Sequence, residues 1–392
     1  MTAIVMIGLN LRPAANAMGA VIPEVRADLG LSATAAGVLN GLPGLCFVIF
    51  GLTAPAVGSR LGAHRTVVAA LVVMVAGQLA RVVFPGVVAV FLGSVVALAG
   101  MAMGNILLPG LVRIHFPRRV AAVTSLYTTC MLVGAAAASG LTVPIGNGLD
   151  GGWRAGVGSW AILACAALIP WIALIVTDRV NAGEQQVHGG PRIRLRALLR
   201  NPVAWSMAMF FGTQSMQAYV VTGWLSQILV DAGVDLPAAG SAVAVFVVAG
   251  IPVAALMPIL ARRQSRLPLL VGSLAISYVV GYVGLLMWPA QGLWVWPAFI
   301  GAGGGAFALS LLMVTLRART ISGLTALSAF GQSGGYVSAT LGPFVFGLLH
   351  DLSGGWTVPI MMMIVVALAM IVAGFLIARP QSVEDHLPRG SK

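Results

Sequence analysis

The chain has 392 residues, of which 59% are hydrophobic and only 8% charged, and its mean hydropathy is +0.98. A soluble domain carries about 25% charged residues, so these values exclude a water-soluble globule and imply an integral membrane protein. The net charge of +12 does not point to nucleic acid, because the basic residues sit in short clusters between apolar runs, as membrane topology requires.

A spanning helix needs about 20 apolar residues. Twelve such windows fall at 3–23, 34–57, 66–84, 87–111, 120–144, 155–177, 203–229, 238–261, 268–288, 293–316, 322–349 and 356–378. They predict an all-α membrane protein with little room for a soluble domain. Span one holds GLNLRPAANA (8–17). At 1.5 Å per residue, Arg12 lies about 16 Å from the start of the span, near the middle of a hydrocarbon core about 30 Å thick. A cation there is costly. Pro13 has no N–H for the Leu9 carbonyl and disfavours helical geometry at Arg12. Together they predict a break that lines a polar cavity, with Asn16 as a neighbouring candidate. The blander reading is that Arg12 only caps freed carbonyls.

Further along the chain, spans two and four contribute Asn40, Phe47 and Asn105, and span five contributes Tyr127 beside Thr128 and Thr129. Span seven carries Gln214, Gln217 and Tyr219, and span eleven carries Gln332 and Tyr336. Gln214 and Gln217 share one face at i, i+3, about 16–21 Å deep, and Gln332 and Tyr336 pair at i, i+4. Each could equally bond across a helix interface. Asn40 and Asn105 lie nearer opposite mouths, but the mid-depth shared on spans one, five, seven and eleven makes these residues candidate substrate contacts as a set, with Phe47 as an apolar wall. The glycines of GAGGGA (301–306) read as close helix packing rather than a phosphate loop.

Eighteen of the 22 basic residues lie in the connectors after even-numbered spans or in the C-terminal tail, whereas Arg26, Arg81 and Arg154 fall on the opposite side. The Lys/Arg excess puts both termini in the cytoplasm. Arg12 belongs to neither side. All ten acidic residues lie at span ends or in connectors, so no protein carboxylate is expected to neutralise Arg12. Cys46, Cys130 and Cys165 lie within apolar segments and form neither a disulfide framework nor a metal-ligand set. The only lysine, Lys392, rules out a phosphate-binding GxxxxGK[ST] loop. No span pairs a nucleophile with a base, so no enzyme, cofactor or metal is expected.

The polar stretch around 178–201 divides the spans six and six. GLDGGW (148–153) recurs as DLSGGW (351–356), with the two tryptophans 203 positions apart, and that offset carries Arg12 onto Ser215. Two parallel repeats of this kind place a transport site between the halves at mid-membrane. The expected organisation is a six-helix bundle over 1–178, a cytoplasmic linker at 179–201, a second bundle over 202–380 and a tail at 381–392. The last residues, 387–392, read as the remnant of a cleaved tag.

The chain resembles the major facilitator superfamily and, more narrowly, its cyanate and 2-nitroimidazole transporter branch. The resemblance is carried by GLNLRP (8–13), GNILLP (104–109), FPRRVAAVTSLYTT (116–129), FGTQSMQAYVVTGWL (211–225), ALSAFGQSGGY (326–336) and LGPFVFGLLHDLSGGW (341–356). It implies the superfamily fold, alternating access and a multi-pass place in a bacterial inner membrane. In the loop after span two, PAVGSRLGAHR (55–65) keeps Arg60 and Gly62 but has Pro55 for the family's glycine and Ser59 for its aspartate. A gate built on that carboxylate is therefore not implied. Pro13, Arg60, Gly62, Arg113 and Arg118 are the gating or structural candidates.

The leading expectation is a monomeric secondary transporter of a small, cyanate-like anion or compact polar molecule, centred on Arg12. An exporter of neutral nitroimidazole-like compounds is the alternative, and a membrane sensor or binding protein is a reading of another class.

Overall fold

The computed structural model describes residues 1–177 and 195–386. Its first elements are α1 (Thr2–Asn10), α2 (Pro13–Ala20), α3 (Ile22–Leu29), α4 (Ala33–Leu61), α5 (Ala63–Val83), α6 (Val87–His115), α7 (Val120–Gly148) and α8 (Gly152–Thr177). They are followed by α9 (Leu195–Leu198), α10 (Pro202–Asp231), α11 (Leu236–Leu260), α12 (Leu267–Met287), α13 (Val295–Gly303), α14 (Ala306–Leu316), α15 (Ile321–Ser353) and α16 (Thr357–Ala378). No strand occurs among the described residues.

Local chemistry sets these boundaries. Ser32, Asn201, Asp235 and Thr320 cap α4, α10, α11 and α15, each accepting a hydrogen bond from a first-turn N–H that would otherwise have no partner. Gly62, at φ 85° and ψ 145°, separates α4 from α5, a conformation that an L side chain resists. Among the described residues nine helices are long and apolar enough to cross a membrane, taking α13 and α14 together. The first segment adds a bent candidate, with a turn of 57° before α3. Two more, α10 with 30 residues and α15 with 33, have the length but fall short in apolarity.

Those two less apolar helices pack against each other, α10 also meets α2, α3 and α4, and α15 lies along α4. The second close pairing of an early helix with a late one is α7 with α11. Small residues allow these approaches: Gly37 and Gly41 of α4 sit on the carbonyls of Pro343 and Thr340, and Gly19 of α2 sits on that of Thr222. Gly301, in the glycine run of α13, lies on the Phe246 carbonyl of α11, which is the packing role expected for that run.

Hydrogen bonds between early and late helices cluster at one face. Asn40 Nδ2 donates to the Gly223 carbonyl at 2.8 Å, and Ser226 Oγ donates to the Gly19 carbonyl at 2.6 Å. Asp351, near the end of α15, accepts from the Ala33 and Thr34 amides and the Thr34 hydroxyl, covering the start of α4. Arg26 lies over the Trp224 ring at 5.8 Å. This face is closed. The opposite face carries both ends of the described chain.

Candidate functional site

The break at Arg12 is present. α1 stops at Asn10, Arg12 takes φ −125° and ψ −30°, and Pro13 starts α2 in its first turn. Proline suits that position because its missing N–H would have had no helical partner. Gly134 of α7 packs directly on the Leu9 carbonyl, the group that Pro13 leaves without a partner. Asn10, fully buried, fixes the end of α1 by donating to the carbonyls of Met6 and Leu163.

Arg12 projects into a cavity of about 570 Å³. The cavity extends from Arg12 towards Ser125 near the start of α7 and Pro258 near the end of α11, hence towards the face that carries both ends. Asn16, Gln214, Tyr219 and Tyr336 line it with Arg12, as do Thr128 and Thr129. Ser215, the position onto which the internal repeat maps Arg12, lines it as well. Tyr219 faces the Arg12 guanidinium closely enough to interact with it. Tyr336 is held from behind by Phe47, stacked at 4.9 Å, and edge-on by Phe211 at 5.9 Å. Gln214 donates through Nε2 to Ser215 Oγ at 2.7 Å. Phe246, Phe307 and Met131 give the cavity apolar walls.

Helical periodicity decides which candidates reach this space. On α10 the lining positions are 211, 214, 215, 218, 219 and 222, one stripe at helical spacing. Gln217 falls outside it: fully buried, it turns towards α16, with Nε2 3.7 Å from Met370 Sδ. On α7 the lining positions are 125, 128, 129, 131, 132 and 135. Tyr127 lies off that set, on the side where Gly8 of α1 packs on its backbone carbonyl. Gln332 bonds instead within α15, to Ser328 Oγ at 2.7 Å, and neither it nor Asn105 is among the lining residues. Asn40 contacts a smaller neighbouring cavity. Of the gating candidates, Arg60 and Arg118 are exposed near the open face, Gly62 forms the α4–α5 break, and the Arg113 side chain lies outside what the structure describes.

One basic residue is more deeply buried than its count with the outer side suggests. Arg81, near the end of the third predicted span, is a fully buried member of α5. Its Nη1 donates to the Ala14 carbonyl at 2.9 Å and its Nη2 to Gln78 Oε1 at 3.0 Å. Cα–Cβ bonds tilt towards a helix's N-terminus, so a long side chain rooted in the last turn reaches back into the span. A Gln three residues before the Arg was the available signal. Among the described residues no acidic side chain lines the cavity at Arg12 or its smaller neighbour.

Comparison with known proteins agrees with this architecture. The family model of the Major Facilitator Superfamily matches residues 3–327. An uncharacterised transporter of Bacillus subtilis (strain 168) is 36% identical, over 95% of this chain and 92% of its own. The 2-nitroimidazole transporter of Escherichia coli (strain K12) is 32% identical over 97% and 95%, and the cyanate transport protein of the same strain 25% over 90% of each. A bacterial homologue of the human lysosomal transporter Spinster, solved inward-facing and unoccupied, shares the fold with a TM-score of 0.79 at 14% identity, covering 99% of this chain and 98% of that one. The chain belongs to the Major Facilitator Superfamily, among relatives that include the cyanate and 2-nitroimidazole transporters, and is a multi-pass membrane transporter of a small molecule.

Proposed function

We propose that the protein is an alternating-access secondary transporter whose substrate is a small anion or compact polar molecule bound at Arg12. The observation that carries this reading is a guanidinium at a helix break, opening into a cavity of about 570 Å³ that no acidic side chain lines. A planar fork of donors without a protein counter-charge is matched by an anion. Asn16, Gln214, Tyr219 and Tyr336 would orient the ligand. The cyanate relative supports an anionic cargo. In this reading α10 and α15 complete twelve spans, residues 1–178 and 202–380 form two six-helix bundles joined by a linker at 179–201, and the transporter works as a monomer. The Lys/Arg excess of the connectors supports a cytoplasmic location for both termini in a bacterial cell, and in this reading the cavity faces inwards.

Flux in proteoliposomes tests this. Net movement of a monovalent anion without a coupled ion should change with an imposed potential, by about 2.3 kcal/mol per charge per 100 mV. A saturable cyanate flux that is lost in Arg12→Ala supports the proposal, and saturable binding without counterflow would make the protein a sensor. A second reading, export of neutral nitroheterocycles, is favoured by the apolar walls at Phe246 and Phe307 and by the 2-nitroimidazole relative. Potential-independent flux of 2-nitroimidazole, with none of cyanate, would select it.

A further inference from the structure

Towards the closed face, Arg12 also borders a second cavity of about 60 Å³. Asn16, Asn40, Arg81, Ser94 and Tyr219 line it as well. Arg81 uses two of its nitrogens on the Ala14 carbonyl and on Gln78, while its Nε and the Ser94 hydroxyl are buried without a partner. A buried donor of this kind is unfavourable unless something accepts from it, and more so on a cation. The two arginines thus border one small space, which among the described residues no carboxylate lines.

We infer that this space is a second anion site, in which an inorganic monovalent anion of one to three heavy atoms is held between Arg81 and Arg12. The inference rests on the anionic reading of the Arg12 site and assigns Arg81 and Ser94 as further ligands. Volume sets the class. About 60 Å³, roughly a tenth of the large cavity, suits a halide or a linear triatomic ion better than a nitroimidazole ring. Charge sets the sign, and the two unpartnered donors, buried in residues that line the space, set the contacts: Arg81 Nε and Ser94 Oγ would turn to the ion as it binds. Because Arg12 borders both cavities, an ion moves from the large one to the small one by exchanging the polar groups of α10 for Arg81 while remaining beside one cation. The small cavity is then the station that the closed face uncovers when it opens.

The test uses the purified full chain. Sodium bromide and sodium cyanate are titrated against a gluconate background by calorimetry, 2-nitroimidazole serves as a neutral probe, and crystals soaked in bromide are measured at the bromine edge. An anomalous peak beside Arg81 Nε is expected. Arg81→Met should raise the Kd for both anions by about 10-fold or more, Arg81→Lys should recover most of it, and Ser94→Ala should weaken binding by about 3-fold. The response to 2-nitroimidazole should stay unchanged in all three. Absence of the peak, together with unchanged anion affinity in Arg81→Met and Ser94→Ala, would leave Arg81 as a prop for the Ala14 carbonyl and overturn the inference. If Arg81→Met does not fold, the bromide map of the unsubstituted protein and the Ser94→Ala titration decide. Loss of anion binding in Arg12→Ala alone sinks this second site only, whereas unchanged binding in Arg12→Ala also sinks the anionic reading of the first.

Discussion

Arg12 borders both the large cavity and its smaller neighbour. Its guanidinium presents a planar fork beside Tyr219 and above the polar stripe of α10. Arg12→Ala is expected to weaken substrate binding by about 100-fold, equivalent to ~3 kcal/mol of lost charge-assisted contacts. The protein should stay monodisperse, because the α1–α2 break is set by Pro13. Arg12→Lys should recover only part, since the charge returns without the fork. Unaltered affinity in a folded Arg12→Ala protein would remove Arg12 from the site. At this scale the sequence was informative about one cation and silent about another. Arg12 stood out because nothing apolar explains a charge at mid-span, whereas Arg81 sat close enough to a span end to be counted simply with the outer side. Its direction depends on side-chain tilt and on the helix beside it, neither of which is written in a hydropathy profile.

Among the elements, depth along a span was legible but azimuth only partly so. Gln214 and Gln217 are equally deep, yet the cavity stripe on α10 includes the first and excludes the second. Tyr127 and Thr128 are adjacent and face different neighbours. Which face of a helix meets the cavity is fixed by its partners, and those come from the whole bundle. The walls supplied by α11, α13 and α14 gave no signal at all, because Phe246, Gly301 and Phe307 look like packing residues in any span. Near the open face, a short helical turn, 383–386, closes on the start of α15. Glu384 Oε1 accepts from the amides of Arg319 and Thr320 and from the Thr320 hydroxyl at 2.9–3.0 Å, and Asp385 pairs with Arg319 at 2.7 Å. Partial burial raises the Glu384 pKa, but these hydrogen bonds outweigh it and hold the carboxyl below its ordinary 4.5. A depressed folded pKa stabilises above the unfolded value and loses its effect as pH falls through the folded one. The protection factors of the amides in 381–386, taken relative to their intrinsic exchange rates at each pH, should therefore be high at pH 7 and fall below about pH 4.5. Glu384→Ala should show the low protection already at pH 7, and an identical profile would show that this carboxylate does not hold the turn.

At the scale of the molecule, the closed face depends on the absence of side chains. Gly37 and Gly41 let α4 touch the backbone of α15, and Asn40 then reaches the Gly223 carbonyl of α10. Gly41→Leu should force these helices apart and favour the state in which that face is open. With Cys46, Cys130 and Cys165 replaced by serine, a cysteine in place of the buried Leu39 should react slowly with an impermeant maleimide added to that face. It should react several-fold faster when combined with Gly41→Leu, and equal rates would show that this contact does not keep the face shut. Fold class, the approximate spans and the family were readable from composition, periodicity and motifs. The closed face was not, because glycine and alanine mark close approach without naming the partner.

The shortfall in apolarity of α10 and α15 has a bearing on how the chain is made. Insertion into a bilayer selects each helix by its own hydrophobicity, and these two carry Gln214, Ser215, Tyr219 and Tyr336, which line the cavity at Arg12. Neither is well suited to partition into lipid alone, so each needs an already inserted neighbour to shelter its polar stripe. For α10 those neighbours include α2 and α4, and for α15 they include α4 and α10. Biogenesis is thereby expected to follow an order: the early helices should be in place before α10 and α15 can bury their polar residues, so the cavity at Arg12 would be completed late in assembly.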